Sequence, residues 1–129
     1  MEISKELLSA VLNKAVYDIS IGDTLVTYVY DTNNGSVNRD INVYELGNEC
    51  KKWAYKTGYC IESAYATSHI KTECSEYLDE DIYKSERNAF SRVNKTNDYS
   101  RKAIFFIEKN TEIETIFKAC EFILKEDNK

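Results

Sequence analysis

Proline is absent from the 129 residues, histidine and tryptophan each occur once, and glycine occurs four times. The four glycines form neither G-x-G-x-x-G nor G-x-x-x-x-G-K-[ST], which excludes a phosphate-cradling loop of the dinucleotide-binding or P-loop kind. H-E-x-x-H, G-x-S-x-G and EF-hand spacings are missing as well. The lone His69 is the single candidate for a histidine general base near neutral pH. Its neighbour Ser68 does not make it a catalytic pair, because adjacent residues of a strand point to opposite faces. Ala66-Thr67-Ser68-His69 reads as a polar strand turn.

Cys50, Cys60, Cys74 and Cys120 include no C-x-x-C pair, so neither a zinc knuckle nor a redox motif is suggested. Three of them fall on the apolar side of their predicted elements, where a free thiol behaves as a small hydrophobe. Reduced core cysteines are the expectation. Positive charge is also scarce. Seventeen Lys and Arg against 22 Asp and Glu leave a net charge of −5, which argues against a general nucleic-acid binder, since that needs a concentrated positive field. No apolar run approaches the roughly 18 residues that cross a bilayer, and the first residues do not read as a basic, apolar leader. The chain is therefore expected in the cytoplasm, away from membranes.

Apolar residues at 43% and charged residues at 30% suit a folded globular protein. A single domain over 1–129 is expected, burying roughly two thirds of its unfolded surface. The first element is a helix capped by Ser4, with Ile3 and Leu8 as a hydrophobic staple and Leu7, Leu8, Val11 and Leu12 as its buried stripe. Residues 15 to 21 and Thr24 to Asp31 read as a hairpin turning at Gly22-Asp23, with positive φ at the glycine. A polar loop over 32–36 leads to a third short strand or lead-in at 37–42.

The segment 42–58 is a helix: Asn42 caps it, Glu45 stands three residues on, and Ile41 with Leu46 supplies a staple. Val43, Leu46, Cys50, Trp53, Ala54 and Thr57 keep helical spacing, and Gly58 can close it in a left-handed conformation. Residues 59–66 and 70–77 read as two further strands. Lys102 to Glu108, apolar on both faces, reads as a central strand. Thr111 and Glu114 open a last helix whose stripe is Ile113, Ile116, Phe117, Cys120, Ile123 and Leu124. The order is α-β-β-α-β-β-(loop)-β-α. Short strand links favour an antiparallel sheet of about five strands with three helices, an α+β fold.

Between Leu78 and Arg101 no period survives, and the stretch is expected to be a long insert loop. Structureless loops of that length are uncommon in compact domains unless they are functional or disordered. This one gathers Tyr83, Arg87, Phe90, Arg92, Asn94, Tyr99 and Arg101. Guanidinium groups clamp phosphate bidentately, aromatic faces stack on a base, and an amide reads a base edge. Tyr83, Arg87, Phe90, Arg92, Asn94 and Arg101 are accordingly the candidate ligand-binding residues, with no catalytic residue, metal or cofactor assigned. The acidic run Glu76 to Asp81 reads as a solvated loop rather than a metal site. Trp53 reads as core packing.

The absence of proline and the abundance of Lys, Asn, Ile and Tyr suit an AT-rich genome. The chain resembles small proteins of bacteriophages and prophages from such hosts in three places. These are Lys5-Glu6-Leu7-Leu8-Ser9-Ala10-Val11-Leu12, Ile41-Asn42-Val43-Tyr44-Glu45-Leu46 followed by Cys50-Lys51-Lys52-Trp53-Ala54, and Thr115-Ile116-Phe117-Lys118-Ala119-Cys120-Glu121-Phe122-Ile123-Leu124. Together they cover about a quarter of the residues and are mostly helix-core positions. Among such proteins it is similar to the Thoeris anti-defence sponges, non-enzymatic proteins that sequester cyclic ADP-ribose-type signals between protomers. That resemblance implies a nucleotide-like ligand, a homo-oligomer and the host cytoplasm. Two other readings stay open: an inhibitor of a host nuclease that presents Glu73, Glu76, Asp79, Glu80 and Asp81 as a nucleic-acid mimic, and an enzyme that degrades such a signal with His69 or a carboxylate as base.

Overall fold

A computed structural model of the chain describes residues 1–65, 88–97, 103–109 and 111–129. The first helix, α1 (Lys5–Leu12), begins where Ser4 Oγ accepts the Leu7 amide at 3.0 Å, a cap that contributes about 1 kcal/mol. Ile3, Leu7 and Leu8 are buried, so the expected staple and stripe face the core. Asn13 ends the helix in a left-handed conformation, φ 55°, which asparagine tolerates better than most residues.

Strands β1 (Ala15–Ile21), β2 (Leu25–Thr32) and β3 (Gly35–Asn42) form an antiparallel meander. Two details of the expected hairpins are corrected. The first turn centres on Asp23-Thr24, with the Gly22 amide donating to Leu25 O at 2.8 Å, and Gly22 does not take a positive φ. The expected loop over 32–36 tightens to the two-residue turn Asn33-Asn34. Thr32 pairs with Gly35 in the ladder, Thr32 Oγ1 donates to Gly35 O at 2.7 Å and accepts the Asn34 amide at 3.1 Å. Gly35, at φ 107°, supplies the positive φ there.

Helix α2 (Val43–Thr57) follows β3 without a spacer. Asn42 Oδ1 accepts the Tyr44 amide at 2.9 Å, and Gly58 ends the helix at φ 102°, as the sequence predicts. Val43, Leu46, Cys50 and Ala54 are buried along one stripe, and Trp53 packs half-buried against it. Strands β4 (Tyr59–Tyr65), β5 (Asn88–Lys95) and β6 (Ile104–Lys109) make a second antiparallel meander. The chain ends in α3 (Glu112–Asp127), whose first free amides meet Thr111 Oγ1, with Glu114 N donating at 3.4 Å.

The fold class is α+β, with three helices among the described residues. The single sheet of about five strands is not observed: two three-stranded sheets take its place. In the chain, α2, a 15-residue helix, stands between β3 of the first sheet and β4 of the second. Among the described residues each strand pairs only within its own sheet, and α2 carries the chain from one sheet to the other. The strand expected at 70–77 lies outside the described residues. The insert expected to be a loop over 78–101 contains strand β5, and β5 is the central strand of its sheet. The apolar strand expected to be central over 102–108 is observed over 104–109, and among the described residues it is an edge, with Ile104 40% exposed.

One core joins the two sheets. It holds Val26, Tyr28 and Tyr30 of β2, Leu46, Cys50 and Ala54 of α2, Ile61 and Val93 of the second sheet, and Phe117, Cys120 and Ile123 of α3. Full burial of side chains such as Phe117, Leu46 and Leu7 contributes roughly 1.5–3 kcal/mol each. Helices α2 and α3 meet closely at Gly47, where a Cβ would run into Ile113 Cδ1. Cys50, Cys60 and Cys120 are free thiols, as expected, and Cys120 Sγ donates to Cys50 O at 3.6 Å across the α2–α3 contact. No helix among the described residues is long and apolar enough to cross a membrane.

Candidate functional site

Successive side chains of β5 alternate between two faces. Ala89, Ser91 and Val93 are buried on the α3 side. Ser91 Oγ lies 2.7 Å from Thr115 Oγ1 on α3 and 2.8 Å from Ser63 Oγ on β4, and Thr115 Oγ1 also lies 2.6 Å from Glu112 O. This chain of hydroxyls satisfies two fully buried polar side chains and fastens α3 to the strand centre. Phe90, Arg92 and Asn94 therefore share the opposite, outer face.

The ladder sets their neighbours. Phe90 stands between Ala64 and Ile107, Arg92 between Glu62 and Phe105, and Asn94 beside Cys60. Alternate residues on a strand are about 7 Å apart, and cross-strand neighbours about 5 Å. The Phe90 and Phe105 rings lie 6.4 Å apart at 47°, an aromatic pair beside the guanidinium-bearing position. Arg92, Asn94 and Phe105 are half-buried, and Glu62 is exposed. Phe90 is only 5% exposed, so its ring is a wall of the face rather than an open stacking surface.

The end of this ladder is anchored by the α2 cap. Gly58 O accepts the Thr96 amide at 3.0 Å and Thr96 Oγ1 at 3.3 Å, which fixes the register of β5 against β4 next to Asn94. Lys95 Nζ sits 5.8 Å over the Tyr59 ring, a cation–π contact on the α3 side. A hollow of about 140 Å³ opens there among Tyr59, Asn94, Lys95, Ile104 and Glu126. It is well below the several hundred Å³ of an ordinary ligand pocket.

Of the six candidate ligand-binding residues, three are thus brought onto one face. Tyr83, Arg87 and Arg101 lie outside the described residues, as do Tyr99, His69 and the acidic run at 76–81. Phe90, Arg92 and Asn94 sit on a central strand rather than a loop. Sequence reasoning missed Phe105 and Glu62, which flank Arg92. A signal for the strand was present in Ala89, Ser91 and Val93, small residues at period two. It was weak because the inward set is small and partly polar, and the outward set carries the bulk and charge. Among the described residues no group of three His, Cys, Asp or Glu is placed to hold a metal ion.

Chemically, the described part of the face carries a half-buried guanidinium, a group that pairs with carboxylates and phosphates, with a half-buried aromatic beside it and an amide one row away. Comparisons with family models, curated proteins and solved structures return no match.

Proposed function

We propose that this chain is a non-enzymatic binding protein that captures a nucleotide-derived anion of the cyclic ADP-ribose type on the outer face of β4-β5-β6, and so acts as a counter-defence factor in the host cytoplasm. The observation that supports the reading is the co-facial placement of Arg92 with Phe105 and Asn94 on and beside a central strand. In this reading Arg92 grips a phosphate, Phe105 lies against a base or ribose, and Asn94 bonds a base edge. A strand in the middle of a sheet holds such groups more rigidly than a loop would.

A ligand that binds only the folded state stabilises it by mass action. At a hundredfold excess over Kd the gain is about 2.7 kcal/mol, or roughly 10 °C in Tm for a domain of this size. The test is a thermal-shift titration with cyclic ADP-ribose isomers and cyclic dinucleotides, followed by heat release and chromatography of the nucleotide. A shift that Arg92→Ala removes, with the nucleotide recovered intact, is the expected result. No shift with any of these nucleotides refutes capture, and a nucleotide recovered in altered form replaces capture with catalysis.

A further inference from the structure

Helix α3 carries a stripe of alternating charge on the side away from its buried residues. Glu114, Lys118, Glu121 and Lys125 follow the spacing i, i+4, i+7, i+11 and so occupy one side of the helix. Ile116, Phe117, Cys120 and Ile123 are buried on the side that faces the core. The charged stripe borders a groove of about 1040 Å³. The floor of that groove is apolar, formed by Ile3, Ile21, Phe106 and Phe122, and the last two rings lie 5.6 Å apart. Lys118 and Lys125 are exposed, and Glu114 and Glu121 are half-buried.

The carboxylates are held in place from within the chain. Glu121 Oε1 accepts the Ser4 amide at 2.8 Å, its Oε2 accepts Ser4 Oγ at 3.1 Å, and the Met1 amino group lies 3.4 Å from Glu114 Oε1. Their positions along the groove are therefore set before any partner arrives.

The order of signs along the stripe is −, +, −, +. When a second α3 is laid antiparallel on the first, with the two-fold axis between residues 119 and 120, Glu114 falls opposite Lys125 and Lys118 opposite Glu121. Every charge meets its opposite, and all four pairs arise from one symmetric operation. Reversing the direction of the second helix sets like charges against each other. A two-fold interface requires this self-complementarity of a single patch, and complementary charge sets register and partner choice. We infer that the α3 groove is a homodimer interface whose occupant is the antiparallel α3 of a second copy of this chain, with the apolar floors of the two grooves closed under the paired charges.

The test is the mass in solution by light scattering at high micromolar concentration. The wild-type chain is expected at twice 14.9 kDa. Lys118→Glu and Glu121→Lys each place like charges opposite one another twice, so each variant alone is expected at the mass of one chain. Mixed in equal amounts they are complementary again, and the mixture is expected to return to the mass of two chains. Because Glu121→Lys also removes the partner of Ser4, Glu114→Lys mixed with Lys125→Glu reads the same symmetry through the outer pair. A wild-type chain that stays monomeric overturns the inference. So does a dimer indifferent to every reversal, or a mixture no heavier than its components. This stripe lies on the α3 side of the second sheet and Arg92 on the other, so either result leaves the nucleotide titration unaffected.

Discussion

The contact between α2 and α3 allows a prediction in which the sign of a substitution depends on a single methyl group. Gly47 is an interior residue of α2, where replacing glycine by alanine ordinarily stabilises a helix by about 1 kcal/mol. Here the new Cβ would occupy the place of Ile113 Cδ1 on α3. Forcing one extra carbon into a packed core costs about 1–3 kcal/mol, so Gly47→Ala is expected to destabilise the wild-type protein by about 1 kcal/mol net. Ile113→Val removes the obstructing methyl and by itself costs about 1 kcal/mol. In that background the steric cost disappears while the helix-propensity gain stays, so Gly47→Ala should stabilise by about 1 kcal/mol. The coupling energy between the two sites is then about 2 kcal/mol, within the range seen for residues in direct contact. Urea denaturation followed by far-ultraviolet circular dichroism and by Trp53 fluorescence measures all four corners of the cycle. An effect of Gly47→Ala that is the same in both backgrounds would refute the close approach of the two helices at this point.

Three further outcomes can be measured on the same footing. Ser91→Ala breaks the hydroxyl chain linking β4, β5 and α3 and leaves Ser63 and Thr115 short of a partner, so a loss of about 1–3 kcal/mol is expected in urea; an unchanged midpoint would show the chain to be dispensable. Gly58→Ala meets no steric obstacle but imposes a left-handed backbone on alanine, which costs about 1 kcal/mol or more, and Gly58→Asn should cost less. The third outcome concerns pH. The hydrogen bond with the Cys120 thiol, then burial, hold the Cys50 thiol above its ordinary value of 9.0, and burial raises the Tyr28 phenol above its ordinary 10.0. Both groups ionise more readily in the unfolded chain, so the stability they contribute is complete below those ordinary values and falls as pH rises past them. Stability is therefore expected to decline as pH rises past 9, and Cys50→Ala should flatten the alkaline limb of a stability–pH curve. A limb of unchanged slope in that variant would count against the buried thiol as its source.

How much of this protein was legible beforehand varied from element to element, for physical reasons. The helices declared themselves because capping and staple chemistry are local: Ser4, Asn42 and Thr111 each accept an amide two or three residues on, and Gly58 closes α2 as predicted. Strand β1 and most of β2 were equally readable as two runs flanking a turn at 22–24. Strand β5 was hidden because its inward residues Ala89, Ser91 and Val93 make room for α3 instead of presenting a hydrophobic row. Its polarity is satisfied by Thr115, 24 residues away, and no local pattern announces such a partner. Strand β6 misled in the opposite sense, since an apolar run on both faces looks central. Its Phe106 instead packs on Phe122 of α3, and its Phe105 beside Phe90 on the outer face. Of the candidate site, the residue types were readable and their arrangement was not.

From its own order of residues, then, the chain determined three helices with their caps, the hairpin of its first half and the alternating charge of α3. These depend on interactions within a few positions, where backbone geometry alone decides who meets whom. Tertiary structure decided that the strands divide into two meanders around α2, that β5 rather than β6 is central to the second, and that Phe90, Arg92 and Asn94 share a face with Phe105. Strand pairing joins residues far apart in the chain, and a shift of one residue turns every side chain to the other face. That choice is made by the packing of the whole core.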